Sequence, residues 1–396
     1  MAKFDNLPNA YRKSAPHLPI DNVFLSAVVA HLFLLLTLVS CPTASAQNGN
    51  PEYMRNSQPS LLTYPELLAL SEQEVIEPAL GAKLNTLLTT PFVNNEAYFG
   101  GMKPLRPDLN GTGPSLRLVQ WNIERGLELD DIKLLMTDKK AFLAKVHSEV
   151  ATGKDTKKPT DEELSKQMDS LQSADVIILN ELDWGMKRTN YQAVVKELAD
   201  TLKMNWAYGV EFVEVDPKVL GTQSFSNVKN ETERKELEQL FSVDKNLVLG
   251  LHGTAILSRY PLRDVKLVPF KHQAYDWYSA EKKYGAIEAG KRKGASLLFG
   301  EEIVREVRRG GRTNLIATLD IPDLPEQRVT LIATHLENRT TPKGRIEQAE
   351  ELLDMIRPIS NPLGVAGDMQ RLGVAGLMVV GGIYTQHLSN DQKVRF

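Results

Sequence analysis

Along the chain, short apolar runs alternate with stretches in which apolar residues recur at helical spacing. Leu61 to Leu88 mixes apolar and acidic residues, with Leu67 and Leu70 three apart and Leu68 and Val75 seven apart, which predicts one or two short helices. Pro104 to Pro114, with Pro107, Gly111 and Gly113, breaks the chain before the first strand, Leu116 to Trp121. A helix is expected over Asp130 to Val150, a buried apolar strand over Ala174 to Leu179, and a helix over Asn190 to Leu202 with Val194, Val195, Leu198 and Leu202 on one face. Gly253 to Ser258, Thr313 to Leu319 and Arg328 to Thr334 read as further strands, Lys343 to Ile356 as a helix, and Leu363 to Ala366 as a last short strand. Two charged insertions, Asn227 to Lys245 and Lys282 to Gly311, interrupt this order. Strand followed by helix, several times over, predicts an α/β fold.

Composition narrows the class without naming a function. With 396 residues, 42% hydrophobic and 24% charged, the chain matches ordinary folded domains and not disordered, collagen-like or multispan membrane chains. A net charge of −3 gives no bulk support for sequence-independent coating of nucleic acid. The single cysteine excludes an internal disulfide, a thiolate zinc cluster and a CxxC redox pair.

That cysteine also sits in an informative place. The apolar run Val23 to Val39 follows Lys3, Arg12 and Lys13 and precedes Ala44-Ser45-Ala46, the layout of a secretory leader. Leu38-Val39-Ser40-Cys41 resembles a bacterial lipoprotein box that would lipidate Cys41, while Ala44-Ser45-Ala46 before Gln47 resembles an ordinary cleavage site. An uncleaved anchor is the third reading, since roughly 17–25 apolar residues can span a bilayer. All three place the main chain outside the cytoplasm: secreted, periplasmic or lipid-anchored, with membrane association through the N-terminus. Asn48 to Pro59 is polar and turn-rich and reads as a linker.

Chemistry gathers where strands end. Asn122 and Glu124 follow the first strand, Glu181 and Asp183 the second, then come Ser258 and Arg259, then His335, Glu337 and Asn338, and finally Asp368. Ligand sites in α/β sheets favour such ends. Oxygen donors with one histidine and no cysteine suit a hard divalent cation, magnesium or manganese, better than zinc. Each residue alone is more simply a turn former or a helix cap.

In this order the segments resemble the endonuclease/exonuclease/phosphatase superfamily. Trp121-Asn122-Ile123 is similar to its opening Trp-Asn motif, Asn180-Glu181-Leu182-Asp183 to its metal motif, and Ala255-Ile256-Leu257-Ser258-Arg259-Tyr260-Pro261 to its mid-chain segment. Thr334-His335-Leu336-Glu337-Asn338, with Arg345 and Gln348 after it, resembles the Thr-His-Leu motif and its helix, and Gly367-Asp368-Met369-Gln370 resembles Gly-Asp-X-Asn. The resemblance implies two facing mixed β-sheets flanked by helices, a four-layer α/β sandwich. It divides the chain into a leader (1–46), a linker and N-terminal helical extension (47–114), the domain itself (115–370) and an atypical tail (371–396).

By the same resemblance, Glu181 is expected to hold the metal and Asn122 to support it or a phosphate oxygen. His335 is expected to donate a hydrogen bond or proton to phosphate and Asp368 to orient or deprotonate the attacking water. Gln370, Asn338, Arg345 and Asp183 are expected to bind phosphate or support the site. The implied activity is metal-assisted, in-line hydrolysis of a phosphodiester, in nucleic acid or a phospholipid head group. The sequence departs from the family pattern at Gln370 and Thr254, where the family carries Asn, and the 28 residues after Asp368 contain no Ser-Asp-His motif. His387 and Asp391 stand in the wrong order, and Leu377 to Ile383 is a strand candidate. The departures imply a sandwich without its last strands. They leave open a second reading, a catalytically impaired or truncated relative that only binds a phosphorylated ligand or partner. Lys291-Arg292-Lys293, Arg305, Arg308, Arg309 and Arg312, near Tyr275, Trp277, Tyr278 and Tyr284, read either as a surface tracking phosphates or an anionic bilayer or as a solvated loop.

Overall fold

The computed structural model describes residues 53–104, 116–151, 160–282, 306–321, 328–359, 363–368 and 379–381. The leader with Cys41, Gln370, Lys291-Arg292-Lys293 and Arg305 lie outside these residues. Among the described residues no helix is long and apolar enough to cross a membrane.

Among the described residues twelve strands form two sheets. The first sheet contains β1 (Asn56–Ser57), β2 (Phe92–Asn94), β3 (Leu118–Arg125), β4 (Val176–Trp184), β5 (Asn205–Glu214), β6 (Leu251–Ser258) and β8 (Arg308–Gly310). Its order is β1-β2-β5-β6-β4-β3, with β8 also beside β5. The second contains β7 (Leu262–Pro269), β9 (Thr313–Asp320), β10 (Arg328–His335), β11 (Leu363–Asp368) and β12 (Val379–Gly381), in the order β12-β11-β10-β9-β7. Among the described strands each sheet holds one parallel pair, β3 with β4 and β10 with β11. The other pairings are antiparallel.

Alternation along each strand sorts side chains into layers. In β4, Val176 and Ile178 join Ala207, Leu315 and Leu331 in the core between the sheets, while Ile177 and Leu179 face a helix layer through Val195, Leu198 and Leu164. In β10, Leu331 and Ala333 point to the inter-sheet core, and Ile332 packs outward with Leu352 of the helix Pro342–Ile356. Helix, sheet, sheet and helix therefore stack in four layers, as the resemblance implies.

Several boundaries differ from the sequence reading. The described part of the expected N-terminal extension belongs to the sandwich: β1 and β2 extend the first sheet, and Leu67, Leu70, Leu84 and Leu87 of the helices Tyr64–Glu72 and Pro78–Thr89 enter its core. The linker reading of Asn48 to Pro59 accordingly fails at β1. The single helix expected over Asp130 to Val150 is two, Leu129–Thr137 and Lys139–Ala151, because Asp138 leaves helical geometry and its carboxylate accepts the amide of Ala141. The tail supplies β12, which covers the first half of β11 where an open edge was expected.

Candidate active site

The first parallel pair delivers an amide and a carboxylate. At the end of β3, Asn122 Oδ1 accepts the backbone N–H of Glu124 at 3.0 Å, and the chain turns through left-handed residues Glu124, Arg125 and Gly126 (φ 47°, 70° and 76°). A glycine is required at 126, because a Cβ there would lie 2.6 Å from Val194 Cγ1. On β4 the register slips beyond Leu179, and Glu181 takes φ 58°, a costly conformation for glutamate. The kink re-aims alternate residues. Asn180 stays buried beneath the site, while the Glu181 carboxylate emerges, 23% exposed, and receives a hydrogen bond from Asn122.

The second pair delivers the imidazole. His335 ends β10 buried, with Nε2 3.8 Å from Glu181 Oε1. Asp368 ends β11 directly opposite His335 in the parallel register. Burial pushes the Glu181 carboxyl up, but His335, His252 and Arg125 and the Asn122 hydrogen bond outweigh it and hold the group down at about 2. Glu181 is thus an anion over the whole neutral range, partly open to solvent.

Under these residues runs a buried polar chain that joins the two sheets. Gln120 donates to Asn180 at 2.9 Å, and Asn180 donates to Thr254 Oγ1 and to the Thr334 carbonyl, both at 3.1 Å. Thr254, the departure from the family's Asn, passes a hydrogen bond on to Glu211. Arg312 binds Glu211 Oε2 at 2.7 Å and approaches His335 Nδ1 to 2.6 Å. On its other side Arg312 reaches Glu337, which also accepts the indole N–H of Trp277 at 2.8 Å. Burial pushes the Glu211 carboxyl up, and the adjoining His335 ring and Arg312 guanidinium more than offset this, leaving it well below the usual carboxylate range.

Glu211 escaped the sequence reading, and Arg312 was read only as part of a basic surface or solvated loop, not as a buried partner of the site. The available signal was a lone glutamate in the apolar run Trp206 to Val213, since a carboxylate buried in a strand must find a cation or donors.

Other expectations are corrected. Asp183 does not join the site: it is fully buried, paired with Arg188 and with His252 Nδ1 at 3.0 Å. Asp183, Glu214 and His252 place possible ligand atoms within 4.8 Å of one another. Their carboxylates, however, already face cations. Arg188 bridges Asp183 and Glu214, and Arg308 lies 3.0 Å from Glu214, so this cluster fits a buried ion-pair network. Asn338 is exposed, while its neighbour Glu337 turns inward. Arg345 spends a guanidinium N–H on the Thr340 carbonyl, at its own helix start.

Ser258 and Arg259 lie at the far end of the sheet, because β6 runs antiparallel to β4 and pairs Ser258 with Val176. Arg308 and Arg312 are buried in ion pairs and Arg309 packs over Tyr278, so these three neither track phosphates nor form a solvated loop. Trp277 and Tyr278 are buried with them.

The donor set fits a hard divalent cation. Glu181 offers a partly open anionic oxygen, Asn122 a hydrogen bond that orients it and an amide oxygen turned to the Glu124 N–H with one lone pair to spare, and His335 a single imidazole.

No family model and no curated protein matches the chain. Solved structures do. An endonuclease/exonuclease/phosphatase from Beutenbergia cavernae DSM 12333 is 18% identical, with a TM-score of 0.27, over 50% of this chain and 38% of its own. ANGEL2, a 2',3'-cyclic phosphatase, is 16% identical, with a TM-score of 0.26, over 50% and 39%. Selenomethionine TDP2 from Caenorhabditis elegans is 14% identical, with a TM-score of 0.27, over 84% and 72%. The chain thus spans about two-fifths of the length of the first two. By its own two-sheet topology the chain is a four-layer α/β sandwich that brings four of the five motifs to one end of the two parallel strand pairs.

Proposed function

We propose that the protein is an exported, metal-dependent phosphodiesterase. One observation carries the reading: an anionic Glu181, hydrogen-bonded by Asn122, faces His335 Nε2 at 3.8 Å where both parallel pairs end. Glu181 and Asn122 would hold magnesium or manganese, which when bound polarises the phosphoryl group and stabilises charge on the leaving oxygen. His335 would donate to a phosphate oxygen, and Asp368, beside it on β11, would orient the attacking water for in-line displacement. Gln370 would hold a phosphate oxygen. Export follows from the leader, by cleavage after Ala46 or lipidation of Cys41.

Hydrolysis of bis-p-nitrophenyl phosphate with and without magnesium, by the parent and by Glu181→Ala, tests the reading. EDTA-sensitive turnover that Glu181→Ala abolishes supports it. A parent that unfolds cooperatively but shows no such turnover overturns it in favour of a ligand-binding relative.

A further inference from the structure

We propose that Tyr275 and Arg339 form a subsite that stacks a nucleobase beside the catalytic centre, which makes a nucleic-acid strand, rather than a phospholipid head group, the substrate. The choice of substrate class rests on the phosphodiesterase reading; the stacking surface does not.

Guanidinium and aromatic planes alternate behind this surface. The Arg308 guanidinium lies over the Phe212 ring, 5.1 Å from its centroid, and over the Trp277 ring, 4.6 Å from its centroid. Arg339, from the segment that follows β10, lies 4.8 Å from the same Trp277 centroid. Tyr275 meets Trp277 edge-on, at 5.1 Å and 79°. Phe212, Trp277 and Arg308 are buried, whereas the Arg339 side chain is 24% exposed and Tyr275 is partly exposed. The stack therefore reaches solvent as a guanidinium and a phenol.

A single buried atom orients both groups. Oε1 of Glu281, a fully buried side chain, accepts Arg339 Nη1 at 2.6 Å and the Tyr275 hydroxyl at 2.7 Å. The platform is also fastened to the site. Glu337, two residues past His335, accepts the Trp277 indole N–H on Oε2 and the Arg339 amide on Oε1, both at 2.8 Å. Arg339 stands four residues past His335, within about 14 Å of chain reach, so the platform serves the base of a nucleotide close to the scissile phosphate.

The chemistry of the surface selects its ligand. Glu281 already balances the Arg339 charge, so Arg339 offers a phosphate less than its flat face offers a ring. Nucleobases stack on guanidinium planes and on aromatic side chains. A choline-type head group is a cation, and it would meet Arg308 and Arg339 at the rings that would otherwise hold it.

Binding is read by fluorescence anisotropy on the full chain in EDTA, with a labelled oligothymidylate and a labelled abasic oligomer of the same length and phosphate count. The parent should bind the thymidylate at least about fivefold more tightly, the low end of what stacking one base contributes. Arg339→Lys keeps the charge facing Glu281 but loses the plane, and should bring the two affinities within about twofold of each other. Equal affinities in the parent, or no binding of either oligomer, overturn the proposal without any variant. A preference that persists in folded Arg339→Lys also overturns it; should that variant show no cooperative thermal transition, Tyr275→Leu takes the same test. A parent that prefers the thymidylate yet hydrolyses no phosphodiester sinks the phosphodiesterase reading alone. Turnover of bis-p-nitrophenyl phosphate without a base preference sinks the subsite alone.

Discussion

Glu181 and Asp183 stand two positions apart on one strand and differ in exposure, though positive neighbours hold both down. Glu181 is partly open, held at about 2 by surrounding positive groups, and tied to Asn122 by a hydrogen bond. Asp183 is sealed against Arg188 and His252 and held below its ordinary range, where burial is outweighed by Arg188 first and by the His252 hydrogen bond next. Substitution should separate the two. Glu181→Gln keeps the carboxylate's shape and is expected to leave the urea midpoint close to that of the parent. On the proposed reading, magnesium-dependent hydrolysis should fall at least about 10²-fold, since several kcal/mol of charge stabilisation would depend on the ion's anionic ligand. Asp183→Asn leaves Arg188 facing a neutral amide in a buried site and should cost about 3–5 kcal/mol, read as a lowered urea midpoint. A Glu181→Gln variant of full activity would remove the carboxylate from the proposed chemistry.

Strand pairing rather than helix propensity positions the site, and β5 against β6 is its tightest contact. A Cβ on Gly253 would lie 2.0 Å from the Gly209 carbonyl oxygen, an atom that moves only if β5 moves. Gly253→Ala should therefore cost at least about 1–3 kcal/mol, seen as a drop in Tm of a few degrees. Gly209→Ala meets only Leu267 Cδ1, which a rotamer change can clear, so it should cost less. The same pair shows what the sequence made legible. Val176 to Leu179 is uniformly apolar and reads as a strand, but β5 carries Gly209, Glu211 and Glu214, and β7 exposes Asp264 and Lys266, so both were missed. The strand-end places of Asn122, Glu181, His335 and Asp368 were readable because each directly follows or ends an apolar run. Glu211 and Arg312 were not, since their pairing spans 101 positions and exists only once β9 faces β5. The strand-end argument failed at Ser258 and Arg259 for want of strand direction, which a single sequence does not state.

At the scale of the molecule, the N-terminal segment and the buried charges decide whether there is a site at all. Deleting residues 53–104 removes β1, β2 and the buried Leu67, Leu70, Leu87 and Phe92, and the shortened chain should show no cooperative thermal transition. The intact fold has a further vulnerability in acid. Glu211, Glu214, Glu337 and Asp183 are buried beside arginines and held below their ordinary ranges, and Glu181 lies at about 2 against an ordinary 4.5. As pH falls through the ordinary carboxylate range, the unfolded chain takes up protons that the folded chain refuses, so protonation favours unfolding. The stabilisation is complete above about 4.5 and is lost progressively toward about 2. The urea midpoint, followed by tryptophan fluorescence, should be level from neutral pH down to about 5 and then fall steeply. Glu211→Gln removes one of these groups and should start from a lower midpoint but decline less with acid. A parent midpoint that stays level to pH 3 would mean that these carboxylates are not paired in solution, and the buried chain that holds Arg312 against His335 would lose its anchor.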